Sequence, residues 1–141
     1  MKEYTTDKLR NIALVGHQSC GKTSLVEAML YNTGAINRMG RVEDGTTVSD
    51  WDDEEKNRKI SLSTSLIQLE FEDHKINILD APGYTDFLGE MKNAIRVADA
   101  VVVVVDAVSG VEVGTELAWE YAREFQGLSD NYWHMTSTEP S

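Results

Sequence analysis

The sequence is poor in cysteine, proline and histidine, with one, two and three of them in 141 residues, and it carries 13 basic residues against 24 acidic ones. The lone cysteine, Cys20, excludes an internal disulfide, and the opening MKEYTTDKLR leads into no signal-peptide core. A reducing cytoplasm is therefore the expected compartment. No apolar run approaches the roughly 20 residues that cross a bilayer, so a soluble chain is expected. The formal net charge of −11 argues against nonspecific attraction to nucleic acid, which needs basic surface to release counterions. It does not exclude a nucleotide phosphate, because one lysine, a metal ion and backbone dipoles can set a local field. No repeat or low-complexity segment is present. A length of 141 residues with 41% hydrophobic content suits one globular domain around a single core.

The residues Gly16 to Thr23 read GHQSCGKT directly after the apolar run IALV. The spacing fits G-x-x-x-x-G-K-[ST], in which glycines let the backbone wrap phosphates with its N–H groups. Lys22 would reach the terminal phosphates and Thr23 would offer its hydroxyl to Mg²⁺. The plainer alternative is a strand-to-helix turn bearing a surface lysine. The DAPG stretch from Asp80 to Gly83 follows a second strand pattern, so Asp80 could hold the metal and the Gly83 N–H could meet a phosphate. Alone, the same residues make an ordinary turn.

Around these motifs the pattern predicts a strand over 11–15 and a helix over 22–32 with Leu25, Met29 and Leu30 at helical spacing, ended by Gly34. Residues 35–59, with the cluster DWDDEE, read as a long mobile loop. The alternation in LIQLEFE places Ile67, Leu69 and Phe71 on one face, and KINILD completes a hairpin ending at Asp80. A helix over 88–98 carries Met91, Ala94, Ile95 and Ala98. AVVVVVD, apolar on both faces, suits a central parallel strand. A last helix over 113–126 is expected to turn Leu117, Tyr121 and Phe125 inward. The tail GLSDNYWHMTSTEPS resembles a frayed end. This order predicts a three-layer α/β domain with a mostly parallel sheet and ligands at the carboxyl ends of the strands, where GHQSCGKT, Asp80 and Asp106 lie.

These stretches, with RNIALVGHQSCGKTSLVEAMLYNTGAI, the pair Asp50 and Trp51, KINILDAPGYTDF and VVVVVDAVSGV, resemble the G domain of translational GTPases. The likeness is nearest to elongation factor G and its paralogues and runs from about residue 10 to 126. It implies a P-loop NTPase fold and GTP bound with Mg²⁺ and hydrolysed to GDP and phosphate. It also implies the ribosome as partner of the full-length family, though not of this chain alone. By position, the nucleotide would be held by Gly16, His17, Gln18, Ser19, Cys20, Gly21, Lys22, Thr23, Ser24, Ser61, Asp80 and Gly83. The metal would be held by Thr23, Ser61 and Asp80, and catalysis would fall to Tyr84 and Lys22.

Several positions depart from the family. Tyr84 stands where a histidine positions the attacking water. A phenol with a pKa of about 10 is a poor base at neutral pH, so it would orient the water and hydrolysis would be slow. Lys59-Ile60-Ser61 replaces Gly-Ile-Thr, keeping the hydroxyl. Ser19 replaces an aspartate associated with a monovalent cation, which leaves help from potassium open. Cys20 is expected to pack as a small residue. His17 matches a family histidine and is assigned no proton transfer.

The resemblance ends before the Asn-Lys-x-Asp segment that reads guanine, so the chain reads as a shortened G domain: residues 1–126 a partial GTP-binding domain, 127–141 a divergent tail. Guanine preference is expected to fall, and the edge of VVVVV is expected to be bare, inviting a homo-oligomer. NYWHMTS folding back as a substitute edge strand is the alternative. A non-catalytic module acting through self-association or a protein partner, and a P-loop ATPase, are the competing functions.

Overall fold

The computed structural model describes residues 3–37, 64–83, 85–126 and 133–137. The elements are β1 (Leu9–Gly16), α1 (Lys22–Asn32), β2 (Ser65–Phe71), β3 (His74–Asp80), α2 (Leu88–Val97), β4 (Ala100–Asp106), α3 (Val113–Gln126) and β5 (Trp133–Ser137). One sheet runs in the order β2-β3-β1-β4-β5. β1 pairs in parallel with β3 and β4, β4 in parallel with β5, and β2 antiparallel with β3. The expected mostly parallel sheet with one hairpin is therefore present, and β4, paired in parallel with β1 on one side and β5 on the other, is an interior strand as its apolar run implies.

Strand alternation sends successive side chains to opposite faces, and the two apolar clusters follow from it. Ala13, Val15, Val101 and Val103 meet α2 and α3 through Met91, Ala94, Ile95, Ala118 and Ala122. Leu14, Val102, Val104, Ile78, Ile67 and Leu69 meet α1 through Val26 and Leu30. The run of valines is thus split residue by residue between two cores, which is why it carries no polar alternation.

Three expectations change. On α3 the buried line falls on Thr115, Ala118 and Ala122. Tyr121 packs half-buried against the same cluster, as expected, Leu117 is half-buried, and Phe125 stays exposed at the rim under the Arg96 guanidinium. Small residues face the sheet because the helix lies close to it. The hairpin face likewise ends early, with Phe71 exposed at the strand end. The β4 edge is not bare, because β5 pairs with it from Val102↔Trp133 to Asp106↔Ser137. The ground for a homo-oligomer on that edge is thereby removed: β5 satisfies the outward N–H and C=O groups of β4 that a second chain would have paired. The loop expected over 35–59 lies outside the described residues from 38 onward, Asp50 and Trp51 included.

Candidate functional site

The carboxyl ends of β1, β3 and β4 meet where α1 leaves for one face of the sheet and α2 and α3 for the other, the point at which α/β sheets open a crevice. Gly16 closes β1 against β4 so tightly that a β-carbon there would fall 2.4 Å from the Val104 carbonyl oxygen. The chain then turns through Ser19 and Gly21, both left-handed with φ of 58° and 95°. Such residues let successive peptide N–H groups converge on one anion. No side chain caps α1 and its first turn holds no acid, so its N-terminal dipole faces the loop uncompensated.

Lys22 opens that helix and is only 7% exposed. Its ammonium donates to the His17 carbonyl at 2.9 Å, with the Gly16 carbonyl at 3.4 Å and the Cys20 Sγ at 3.7 Å. At the next residue, the Thr23 hydroxyl donates to Asp80 Oδ2 at 3.1 Å. Asp80 ends β3, is 2% exposed, and is followed by Ala81, whose N–H reaches the Leu14 carbonyl at 3.1 Å. That bond holds the DAPG turn along β1 and brings Gly83 onto the loop. A β-carbon on Gly83 would come within 2.5 Å of Lys22 Nζ and 2.7 Å of the Gln18 nitrogen.

Cys20 lies beneath the loop, buried in the α1-side core, and burial pushes its thiol pKa up. It packs as the small residue expected. Gln18, Ser19 and Ser24 are exposed around the loop. Asp106 stands at a strand end but accepts from the Ser109 and Val108 N–H groups at 2.7 and 2.8 Å. Those bonds hold its carboxyl below the ordinary range and commit it to its own turn. Ser61 and Tyr84 lie outside the described residues. Among the described residues no group of three or more His, Cys, Asp or Glu side chains could hold a metal, and no helix is long and apolar enough to cross a membrane.

Sequence reasoning missed a second set of residues here. The His17 ring points to α3, where Nδ1 accepts the Gly114 N–H at 3.1 Å and Nε2 faces Glu112 Oε1 at 3.6 Å. Nothing in the order of residues links positions 97 apart. Only the glycine at 114 hinted at a close approach.

The family model of the elongation factor Tu GTP binding domain matches residues 7–127. Elongation factor G of Petrotoga mobilis (strain DSM 10674 / SJ95) is 40% identical over 128 residues, which are 89% of this chain and 18% of that protein. A solved protein of Thermus thermophilus superposes with a TM-score of 0.79 and 50% identity, over 82% of this chain and 17% of its own. A bacterial selenocysteine-specific elongation factor superposes with a TM-score of 0.69 at 24% identity, over 92% and 19%, a likeness of fold alone. The chain spans less than a fifth of the length of each of these three proteins.

Proposed function

The chain belongs to the family of elongation factor Tu GTP binding domains, and on that footing we propose that it binds GTP and GDP with Mg²⁺ and hydrolyses GTP to GDP and phosphate. The observation that carries this reading is the meeting of Thr23 and Asp80, 3.1 Å apart, beside a loop whose lysine is buried on its own carbonyls. A hydroxyl against a buried carboxylate is a hard oxygen donor set, and Mg²⁺ takes few protein oxygens while keeping waters and phosphate. Thr23 and Asp80, with Ser61, would hold the ion. When bound, Mg²⁺ would neutralise charge that develops on the phosphate oxygens.

The rest is the work of the chain's own groups. The N–H groups from Gly16 to Gly21, continued by Lys22, Thr23 and Ser24 at the helix start, would cradle the phosphates. Lys22 would exchange the neutral His17 carbonyl for phosphate oxygen, a stronger charge-assisted bond. The Gly83 N–H would meet the terminal phosphate. Tyr84 would orient the attacking water by hydrogen bonding without taking its proton, which makes hydrolysis slow. A ribosomal partner and a cytoplasmic location belong to the full-length relatives by the same reading.

Titration with fluorescent GTP, GDP and ATP, with and without Mg²⁺, tests it. Binding that weakens on removal of Mg²⁺ is expected. The ratio of GTP to ATP affinity reads base selectivity, and a bidentate charged pair to the base is worth on the order of 2–3 kcal/mol. Absence of binding to all three nucleotides overturns the proposal.

A further inference from the structure

We infer that the His17 side chain is a positioning residue for the phosphate loop, fastening it to α3 by capping that helix from across the fold; the inference rests on the nucleotide reading above. The first turn of any helix leaves N–H groups without intrahelical partners. In α3, Glu112 serves as N-cap: its N–H donates to the Thr115 hydroxyl at 3.3 Å, and its carbonyl takes the Thr115 and Glu116 N–H groups at 2.9 and 3.0 Å. The Gly114 N–H is left between them, and His17 Nδ1 takes it at 3.1 Å.

The approach is built into the backbone. A β-carbon at residue 114 would stand 2.7 Å from Nδ1 and 2.8 Å from the His17 Cα, so glycine is what admits the ring and the loop behind it. The bond also selects a tautomer. An Nδ1 that accepts leaves the proton on Nε2, which faces Glu112 Oε1 at 3.6 Å. One tautomer therefore suits both ring nitrogens, Nδ1 accepting from Gly114 and Nε2–H facing the Glu112 carboxylate just ahead of α3. The main chain of the same residue carries the other half of the arrangement. The His17 carbonyl receives Lys22 at 2.9 Å, and the His17–Gln18 peptide lies against Gly83. Fastening the ring to a packed helix thus fixes the peptide that parks the lysine and faces the phosphates. A loop held in its binding shape loses less freedom when ligand arrives.

The test compares GDP affinity, with Mg²⁺ at pH 8, in the wild type, H17A, H17L and H17N. Losing one hydrogen bond that orders the loop should weaken GDP about tenfold in H17A. H17L, which restores bulk without an acceptor, should remain as weak. H17N, which returns an amide oxygen near the Nδ1 position, should recover most of the loss. A merely structural role would let H17L recover as well as H17N. Nitrogen NMR of the wild-type ring should show Nε2 protonated and Nδ1 bare, and a ring protonated on Nδ1 overturns the inference. Equal GDP affinity in wild type and H17L overturns it too and leaves the nucleotide reading standing. A wild type that binds no GDP while showing the bare Nδ1 overturns the nucleotide reading, and the positioning role falls with it.

Discussion

Gly83 and Lys22 touch: the glycine sits so close that a β-carbon on it would lie 2.5 Å from the lysine ammonium nitrogen. The turn after β3 and the loop after β1 are therefore in contact, and the residue at that contact must be the smallest one. Lys22 is meanwhile held on the His17 carbonyl.

Gly83→Ala should destabilise the fold by about 1–3 kcal/mol, the usual range for overpacking. Two of the atoms it would strike, the Gln18 nitrogen and the His17 carbonyl carbon, are backbone and cannot swing aside. Gly89→Ala is the contrast. Nothing lies within 4 Å of its added carbon, and a helical alanine should be neutral or stabilise by up to about 1 kcal/mol. Urea unfolding of both variants separates them, and equal midpoints would contradict the contact.

Lys22→Ala should weaken GDP between about ten- and a hundredfold, the range of a hydrogen bond to a charged group. The sheet behind it should remain folded. Calorimetric titration checks the first expectation and circular dichroism the second. Unchanged affinity would place the phosphates elsewhere.

Asp80→Asn keeps size and removes the carboxylate charge beside Thr23. GDP affinity in this variant should no longer respond to chelation of Mg²⁺, whereas the wild type should lose affinity on chelation. A variant that keeps the full Mg²⁺ response would exclude Asp80 as the metal's holder.

Cys20 should resist thiol reagents in the folded protein and react fully in denaturant, since it is 1% exposed. Burial raises its pKa above the ordinary 9.0, so the folded state favours the neutral thiol. Its contribution to stability is complete below pH 9 and is lost as pH rises through the raised value, because the unfolded thiol ionises first. Rapid labelling at neutral pH without denaturant would contradict this.

Removing residues 127–141 strips β5 from β4 and leaves its parallel ladder open. The shortened chain should associate with rising concentration in sedimentation experiments, as unprotected edges do. A strictly monomeric product would show that β5 does not shield that edge.

Much of the fold was legible because its signals are local. The helix over 22–32 agrees with α1 at both ends, since the glycine before it and Gly34 after it punctuate the chain. The hairpin follows from alternation, and the phosphate-loop spacing puts Lys22 and Thr23 at the start of α1, where Thr23 meets Asp80. The inward line of α3 is only partly legible from size: Tyr121 packs against the core cluster as its spacing implies, whereas Phe125 stays exposed and the fully buried line falls on the smaller Thr115, Ala118 and Ala122, which let the helix lie close to the sheet.

By itself, then, the order of residues determined the elements, their alternating faces and the loop that could grip a phosphate, because spacing of 2 or 3.6 and backbone permissiveness are properties of neighbours in the chain. The tertiary structure alone decided how the valines of β4 divide between two cores, that β5 covers the β4 edge, and that His17 reaches Gly114. Those outcomes depend on which surfaces meet when the sheet closes its ranks, and contacts between residues tens of positions apart leave no period to read.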